Sequence, residues 1–295
     1  MKQDRPFPAV TVTKKAEASL RSGHPWVYAA EITACEGDCP SGGIVDVFSQ
    51  KGAWLGAGFF SAESKIGVRI LSDNANERFG PAFFERRVKY ALDYRRAVMG
   101  GDFACCRLIF GEADGLPALI VDKYADILVV QCLSLGVHQR KDRIVKILSE
   151  LFSPRGIYER SDAAVLSKEG LLPEKGVLYG EVPDEVIVEE NGLKMSVDVK
   201  NGQKTGYFLD QKENRAAIRR YAAGGRVLDC FSNSGGFALN AALSAESVVA
   251  ADISPLALKN VERNAGHNGI KNIHTDWGDV FSLLREYRAA GEKFS

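Results

Sequence analysis

Gly225-Arg-Val-Leu-Asp-Cys-Phe-Ser-Asn-Ser-Gly-Gly-Phe-Ala-Leu-Asn240 decides the fold of the last third of this chain. Arg226–Phe231 reads as a strand, Gly235 and Gly236 interrupt it, and Gly236–Ser244 reads as a helix. The same unit then recurs. Ser247–Asp252 is a second strand. Ser254 is a good N-cap with Pro255 at the first helical position, the helix runs to about Asn264, and Gly269 suits its exit loop. Ile273–Trp277 is a third strand, followed by Val280, Leu283, Leu284 and Tyr287 at the spacing of one helix face. Strand and helix alternating in this way predict a parallel sheet with flanking helices.

The turn within Asp229–Phe237 carries chemistry. Gly235 and Gly236 let a ligand approach the backbone closely, and the helix beyond them opens with unpaired N–H groups. The spacing is not Gly-x-Gly-x-x-Gly, so a ligand without a pyrophosphate fits better than a dinucleotide. Asp252 closes the second strand seventeen residues after Gly235, where a carboxylate accepts both hydroxyls of a ribose. Asp279 follows the third strand at the same carboxyl edge, where open α/β sheets bind their ligands. A glycine turn, a ribose acid and a third acid near the adenine point to an adenosine ligand without phosphates. S-adenosylmethionine (SAM) is the candidate cofactor. Each piece has a plainer account, Gly-Gly as a turn and a strand-end Asp as a helix cap. Their order, in phase with three strands, favours the ligand.

Upstream, residues 1–75 read as a small β-rich unit, as in a small barrel, with strand-like runs at Ala9–Thr13, Gly43–Phe48, Trp54–Phe60 and Ile66–Leu71. Asp73–Glu77 is a polar linker. Pro81 starts a helix with Phe84, Val88, Ala91 and Leu92 on one face. Arg107–Phe110, Pro117–Val121 and Ile127–Leu133 read as strands, with Lys123–Asp126 as a hairpin loop. A helix with Ile144, Ile147, Leu148 and Leu151 on one face follows, then a hairpin over Glu185–Val199 turning at Asn191-Gly192. These units predict domains at 1–75, 76–190 and 191–295, an α/β protein with an N-terminal small β-barrel.

The 295 residues suit two or three domains, and 45 % apolar with 26 % charged residues excludes a disordered chain, a collagen-like repeat and a coiled coil. No apolar run is long enough for a membrane helix, and MKQDRPFPAV lacks the apolar core of a secretion signal, so a cytoplasmic protein is expected. The six cysteines form no Cys-x-x-Cys pair and there are four histidines, so neither a metal site nor a disulfide framework is expected, and all six read as buried thiols. Basic and acidic residues balance at 38 each. Locally they do not. Residues 1–30 hold five basic residues (Lys2, Arg5, Lys14, Lys15, Arg21) against Asp4 and Glu17, and residues 78–107 hold seven against three. Such patches suffice for phosphate contacts, or are solvated helix faces.

Four segments, in order, resemble the large-subunit methyltransferase I family of bacterial 23S rRNA cytosine-C5 methyltransferases. They are Gly23-His-Pro-Trp-Val-Tyr28, Gly111–Tyr124, Lys204–Arg215 and Asp229–Phe237. The resemblance covers nearly the whole chain. It implies a PUA domain, a central α/β domain and a Rossmann-like class I SAM domain, here its first three β/α units. It implies that Asp229, Phe231, Ser234, Gly235 and Gly236 lie at the cofactor, that Asp252 holds the ribose, and that Asp279 reaches the adenine amino group. It also implies that Tyr207, Asp210, Gln211 and Arg215 shape the pocket mouth. The plainer account of that last segment is a capped helix start, with Asp210 and Glu213 as a capping box. RNA, by resemblance 23S rRNA, is the expected partner. Lys14, Lys15, Arg21, His24 and Trp26 are candidate contacts, while Trp26 and His24, as a lone pair in a small barrel, suit core and turn better.

The family's chemistry uses a cysteine thiolate that attacks C6 of cytosine so that C5 accepts the methyl, after which a base removes the C5 proton and the thiolate is eliminated from C6. The family places these groups in Asp-Pro-Pro-x-Phe and Ser-Cys-Ser-Gly motifs, and neither occurs in residues 1–295. Cys230 is the cysteine nearest the predicted pocket and reads as structural. The resemblance therefore implies a truncated, non-methylating chain with its first strand as an open sheet edge, prone to self-association, in its simplest form a homodimer. Two alternatives stay open: an RNA-binding module with a vestigial sheet, and a methyltransferase of the same scaffold acting on another base or on protein.

Overall fold

In the computed structural model, residues 5–100 and 102–295 are described, apart from the side chains of residues 164 and 165. Lys2 and Asp4 of the N-terminal charge count lie outside them. The chain folds as two units, Met1–Val182 and Pro183–Ser295.

The first unit begins with β1 (Ala9–Val12), α1 (Lys14–Arg21), β2 (Trp26–Tyr28), β3 (Ile32–Glu36), β4 (Ile44–Ser49), β5 (Trp54–Phe60) and β6 (Ile66–Ser72). The strands make one sheet in the order β2-β6-β5-β4-β1-β3, with β2 and β3 as its two ends. Alternation buries Val10, Val12, Val45, Val47 and Val68 on one face, against Ala16 of α1. Sequence patterning misses three elements here. Helix α1 buries only Ala16, and β3 is exposed along most of its length, so neither shows an apolar period. Strand β2 is only three residues long.

A second sheet follows. Its elements are α2 (Pro81–Met99), β7 (Cys105–Phe110), β8 (Leu119–Tyr124), β9 (Ile127–Cys132), α3 (Leu135–His138), α4 (Lys141–Phe152), β10 (Gly156–Ser161) and β11 (Glu174–Gly180), in the order β11-β10-β9-β8-β7. Helix α2 buries Phe84, Val88, Ala91 and Leu92 as predicted, and Phe83 with them. The loop expected at Lys123–Asp126 is tighter. Tyr124 pairs with Ile127, leaving Ala125 and Asp126 to turn, with Ala125 left-handed at φ 54°. Ala57, Phe59 and Leu71 of the first sheet share one core with Phe84, Val121 and Leu148 of the second layer. Buried polar groups also join the two sheets. Ser64 Oγ and Arg69 Nη2 donate to Glu169 Oε1 at 2.6 and 2.7 Å. Trp26 Nε1 donates to Glu112 Oε1 at 2.7 Å.

The second unit opens with the hairpin β12 (Val186–Glu190) and β13 (Leu193–Val197), turning at Asn191 and Gly192, both left-handed. The boundary between units precedes this hairpin rather than splitting it at residue 190. Asn264 and Asn268 of the later helix accept from Ser196 and Lys194 backbone N–H groups and hold β13 in place. Then come α5 (Lys212–Ala222), β14 (Arg226–Cys230), α6 (Gly236–Ala242), β15 (Ser247–Asp252), α7 (Pro255–His267), β16 (Ile273–Trp277) and α8 (Val280–Ala289). Strands β14, β15 and β16 are parallel in that order, and Ser254 caps α7 ahead of Pro255 as expected. Strand β14 is a sheet end, and near its start Ser295 N–H donates to Arg226 O at 2.8 Å. Among the described residues no helix is long and apolar enough to cross a membrane.

Arg69 and Glu169 are both buried, and without Glu169 the Arg69 charge is left with its longer 3.3 Å contact to Glu112. Glu169→Ala is expected to destabilise the first unit by about 3 kcal/mol, read as a lower midpoint in chemical unfolding. A midpoint unchanged from wild type would show that the two sheets are held together without this pair.

Candidate functional site

The connection from β14 to α6 is built from backbone that favours the left-handed region. Phe231, Asn233 and Gly235 have φ of 61°, 50° and 83°. For an L-residue such as Phe231 that conformation costs about 1–2 kcal/mol. Two carboxylates offset it by satisfying the loop's N–H groups. Asp252, at the end of β15, accepts from Asn233 N–H and from Ser254 N–H, each at 2.9 Å. Asp229, in β14, accepts from Ala238 N–H in the first turn of α6 at 2.9 Å. A Cβ on Gly235 would lie 2.7 Å from Leu239 Cδ1, so its place is in helix packing. A Cβ on Gly236 would lie 2.7 Å from Arg215 Cδ and 2.9 Å from Tyr207 Oη, at the cavity wall.

The loop forms one wall of a cavity of about 520 Å³, within the usual range for small-molecule sites. Of the residues singled out in the sequence, Tyr207, Gln211, Arg215, Asp229, Phe231, Ser234, Gly236 and Asp252 line it. The opposite wall rests on a residue that sequence reasoning missed. Glu190, at the end of β12, accepts from Arg215 Nε and Nη2 at 2.6 and 2.8 Å and from Tyr207 Oη at 3.2 Å. Arg215 also donates to Phe208 O at 2.9 Å, and its guanidinium lies over the Tyr207 ring. All three side chains are buried, so the hairpin and the start of α5 are locked to one another beside the cavity. Only the Asn191-Gly192 turn, which fixes where β12 ends, signals this in the sequence.

The cavity fits a polar, cationic ligand such as SAM. Burial pushes the Asp229 carboxyl up to about 6, against the Ala238 N–H that lowers it, and Asp252 adds to the rise. Ser232 Oγ is buried in the wall without a hydrogen-bond partner. Burial and then Asp229 hold the Cys230 thiol above its ordinary range, so it is no poised nucleophile.

Three residues singled out in the sequence lie outside the lining. Gly235 is packed beneath it. Asp210 is exposed, and its hydrogen bonds to Gln211 and Lys204 bring its carboxyl down to about 2. The Asp210–Glu213 capping box does not form, because α5 begins one residue later, with Gln211 at the cap and no side-chain cap bond. Asp279 lies at the carboxyl edge, and its Oδ1 caps α8 through Ser282 N–H at 2.9 Å. In the first unit, Lys14, Lys15 and Arg21 sit on α1, with Lys15 facing Glu31 and Arg21 bonded to Glu17. His24 Nδ1 accepts from Trp26 N–H at 3.1 Å. Cys105, Cys106 and Cys132 are buried, but Cys35 is exposed and Cys39 and Cys230 half-buried, a correction to the expectation for all six. Cys39 and Cys230 pack at the margins of two apolar clusters, while Cys35 lies on the exposed strand β3.

Comparison with known proteins matches part of each unit to a family. Residues 10–73 match a PUA-like domain, and residues 173–288 match S-adenosylmethionine-dependent methyltransferases. The ribosomal RNA large subunit methyltransferase I of Aeromonas salmonicida is 42 % identical over 290 residues, 97 % of this chain and 73 % of that protein. The chain belongs to the ribosomal RNA large subunit methyltransferase I family. A second member, from Klebsiella pneumoniae, is 40 % identical over 99 % of this chain and 74 % of its own length. The chain is thus a SAM-dependent methyltransferase by family and spans about three-quarters of these relatives. The fold is shared with a Streptococcus mutans chain described as a SAM-dependent methyltransferase, at a TM-score of 0.81 and 22 % identity over 97 % of this chain and 74 % of that one. It is shared too with a methyltransferase structure complexed with SAH, at a TM-score of 0.83, 22 % identity and the same coverage.

Asp229 makes stability depend on pH. Folded, it keeps its proton to about pH 6; an unfolded aspartate releases it near pH 4. Between these values the folded chain binds more protons, so stability falls as pH rises from about 4 to 6, by on the order of 2–3 kcal/mol, and this contribution is flat above. Asp229→Asn is expected to flatten that window in urea titrations at stepped pH. An unaltered slope would assign the dependence to another group.

Proposed function

We propose that the reaction this protein's cavity serves is methylation of C5 of a cytosine in 23S rRNA, with SAM held in the cavity of the second unit. The observation that carries the cofactor's place is the β14–α6 loop, where two carboxylates with no cationic partner among the described residues border a cavity of nucleoside size. The base and position rest on the four matched segments and on the family. In this reading Asp252 accepts the ribose hydroxyls with lone pairs its two backbone bonds leave over. Asp229 faces the cationic methionine end with Phe231, Ser234, Gly235 and Gly236. Asp279 meets the adenine amino group, and Tyr207, Asp210, Gln211 and Arg215 hold the mouth. SAM supplies an electrophilic methyl on a sulfonium. The rRNA substrate sets the reaction in the cytoplasm.

Within residues 1–295 the thiolate of this chemistry has no candidate at the cavity, since Cys230 stays protonated there. We therefore expect these residues alone to bind cofactor and transfer no methyl. Calorimetry with S-adenosylhomocysteine should show saturable binding; its absence would favour the RNA-binding alternative. Incubation with unmodified 23S rRNA and methyl-labelled SAM should leave cytosine unlabelled, and incorporation above background would refute inactivity.

The end strand β14 also supports self-association as a homodimer. Sedimentation should show a mass that rises with concentration, and a monomer throughout would refute it.

A further inference from the structure

The first unit carries a second large concavity, about 680 Å³ and open, on the face where α2 meets the 111–115 turn. Tyr90 and Tyr94, four residues apart, share one face of α2 there, and Phe110 at the end of β7 stands opposite. Their exposures are 58, 60 and 54 %, high for three large rings lining one cavity. A guanidinium backs two of them: Arg95 over Tyr94 at 5.1 Å and Arg107 over Phe110 at 5.2 Å. Arg87 lies in the same wall, half-buried, its Nη2 donating to Leu71 O at 3.4 Å and its buried Nε unpartnered.

The acids of this wall are already engaged. Asp114 takes both Arg95 nitrogens, at 3.0 and 2.7 Å, and the Phe110 N–H. Glu112 takes Trp26 Nε1 and Arg69. The Glu112 bond also ties the wall to the His24–Trp26 ring pair, whose centroids are 5.7 Å apart. Anionic repulsion is therefore weak, while π-faces and a guanidinium remain on offer.

We infer that this face is a stacking platform for unpaired bases of the RNA substrate, with Tyr90, Tyr94 and Phe110 as the stacking rings and Arg87 as a phosphate contact. Single-stranded RNA fits better than a protein strand or an apolar helix. Arginine-backed aromatic rings spaced around an open, wet concavity suit flat, splayed bases. A partner helix needs a dry apolar groove, whereas this wall sets its rings among Arg87, Arg95, Glu112 and Asp114. The inference rests on the proposed RNA substrate.

The test is fluorescence anisotropy with a short fluorescein-labelled single-stranded RNA from 23S rRNA and an abasic strand of equal length and charge. Wild type should prefer the base-bearing strand. Tyr94→Ala and Phe110→Ala should each weaken it by on the order of tenfold. The triple variant with Tyr90→Ala should no longer distinguish the two strands. Tyr94→Phe should restore binding. Homocysteine-cofactor affinity and the unfolding midpoint should not change, because the rings are exposed. If the triple variant still prefers the base-bearing strand within twofold of wild type, the platform is overturned while the RNA reading stands. If wild type binds neither single-stranded nor duplex RNA, the RNA reading itself fails, and this inference with it.

Discussion

The cofactor-side structure depends on one constraint: the chain must leave a parallel strand and enter a helix across a few residues without burying an unpaired N–H. The solution is carboxylates from adjacent strands. Asp229 reaches the first turn of α6, and Asp252 ties the loop to its own strand end. Because β14 and β15 pair in register, Asp229 opposite Ala250 and Cys230 opposite Ala251, Asp252 lies two residues beyond the partner of Asp229 along the edge. The left-handed residues Phe231, Asn233 and Gly235 follow from that geometry. The loop folds back on the strand end rather than continuing the strand's extended path, and the hydrogen bonds offset the conformational cost.

The opposite wall solves a different problem, a charge with no water. Arg215 is buried and would be costly alone. Glu190 meets it with two hydrogen bonds and also accepts the Tyr207 hydroxyl. A buried pair of this kind adds little net stability over an apolar equivalent, but its geometry is directional. It fixes the end of β12 against the start of α5, which places Tyr207 and Gly236 within van der Waals reach of each other. That explains why Gly236 admits no side chain: its open face belongs to the cavity and its closed face to Arg215.

The second unit was legible because its elements are periodic. Each strand is a short apolar run, each helix shows a stripe, and Ser254-Pro255 and Asn191-Gly192 mark a start and a turn with defined chemistry. Asp229 and Asp252 were legible because strand ends at a sheet's carboxyl edge are few. Glu190 was not, since a partner 25 residues away leaves no trace in local pattern. Asp279 shows the limit of residue type: the same carboxylate that suits an adenine also caps α8. In the first unit, β10 was hidden because Glu159 and Arg160 are polar yet buried. Lys141 meets Glu159 at 2.8 Å and Asp162 meets Arg160 at 3.3 Å. A strand stabilised by buried ion pairs does not alternate between apolar and polar.

The same pairing changes what the charge counts mean. Residues 78–107 carry a basic excess in sequence, but folding delivers acids from outside that window. Glu77 meets Arg86, Asp114 meets Arg95 and Asp122 meets Arg107, while Glu85 meets Lys89 within it. The guanidiniums are thereby neutralised and held in fixed planes. A field made of such pairs is short-ranged, so counterion release from this face contributes less than a linear count suggests. What remains is geometry. Guanidiniums pinned by carboxylates lie over the rings of Tyr94 and Phe110, whose remaining faces are open to solvent. Recognition on this face must therefore come from stacking more than from net charge, which reconciles a chain of zero net charge with an RNA substrate.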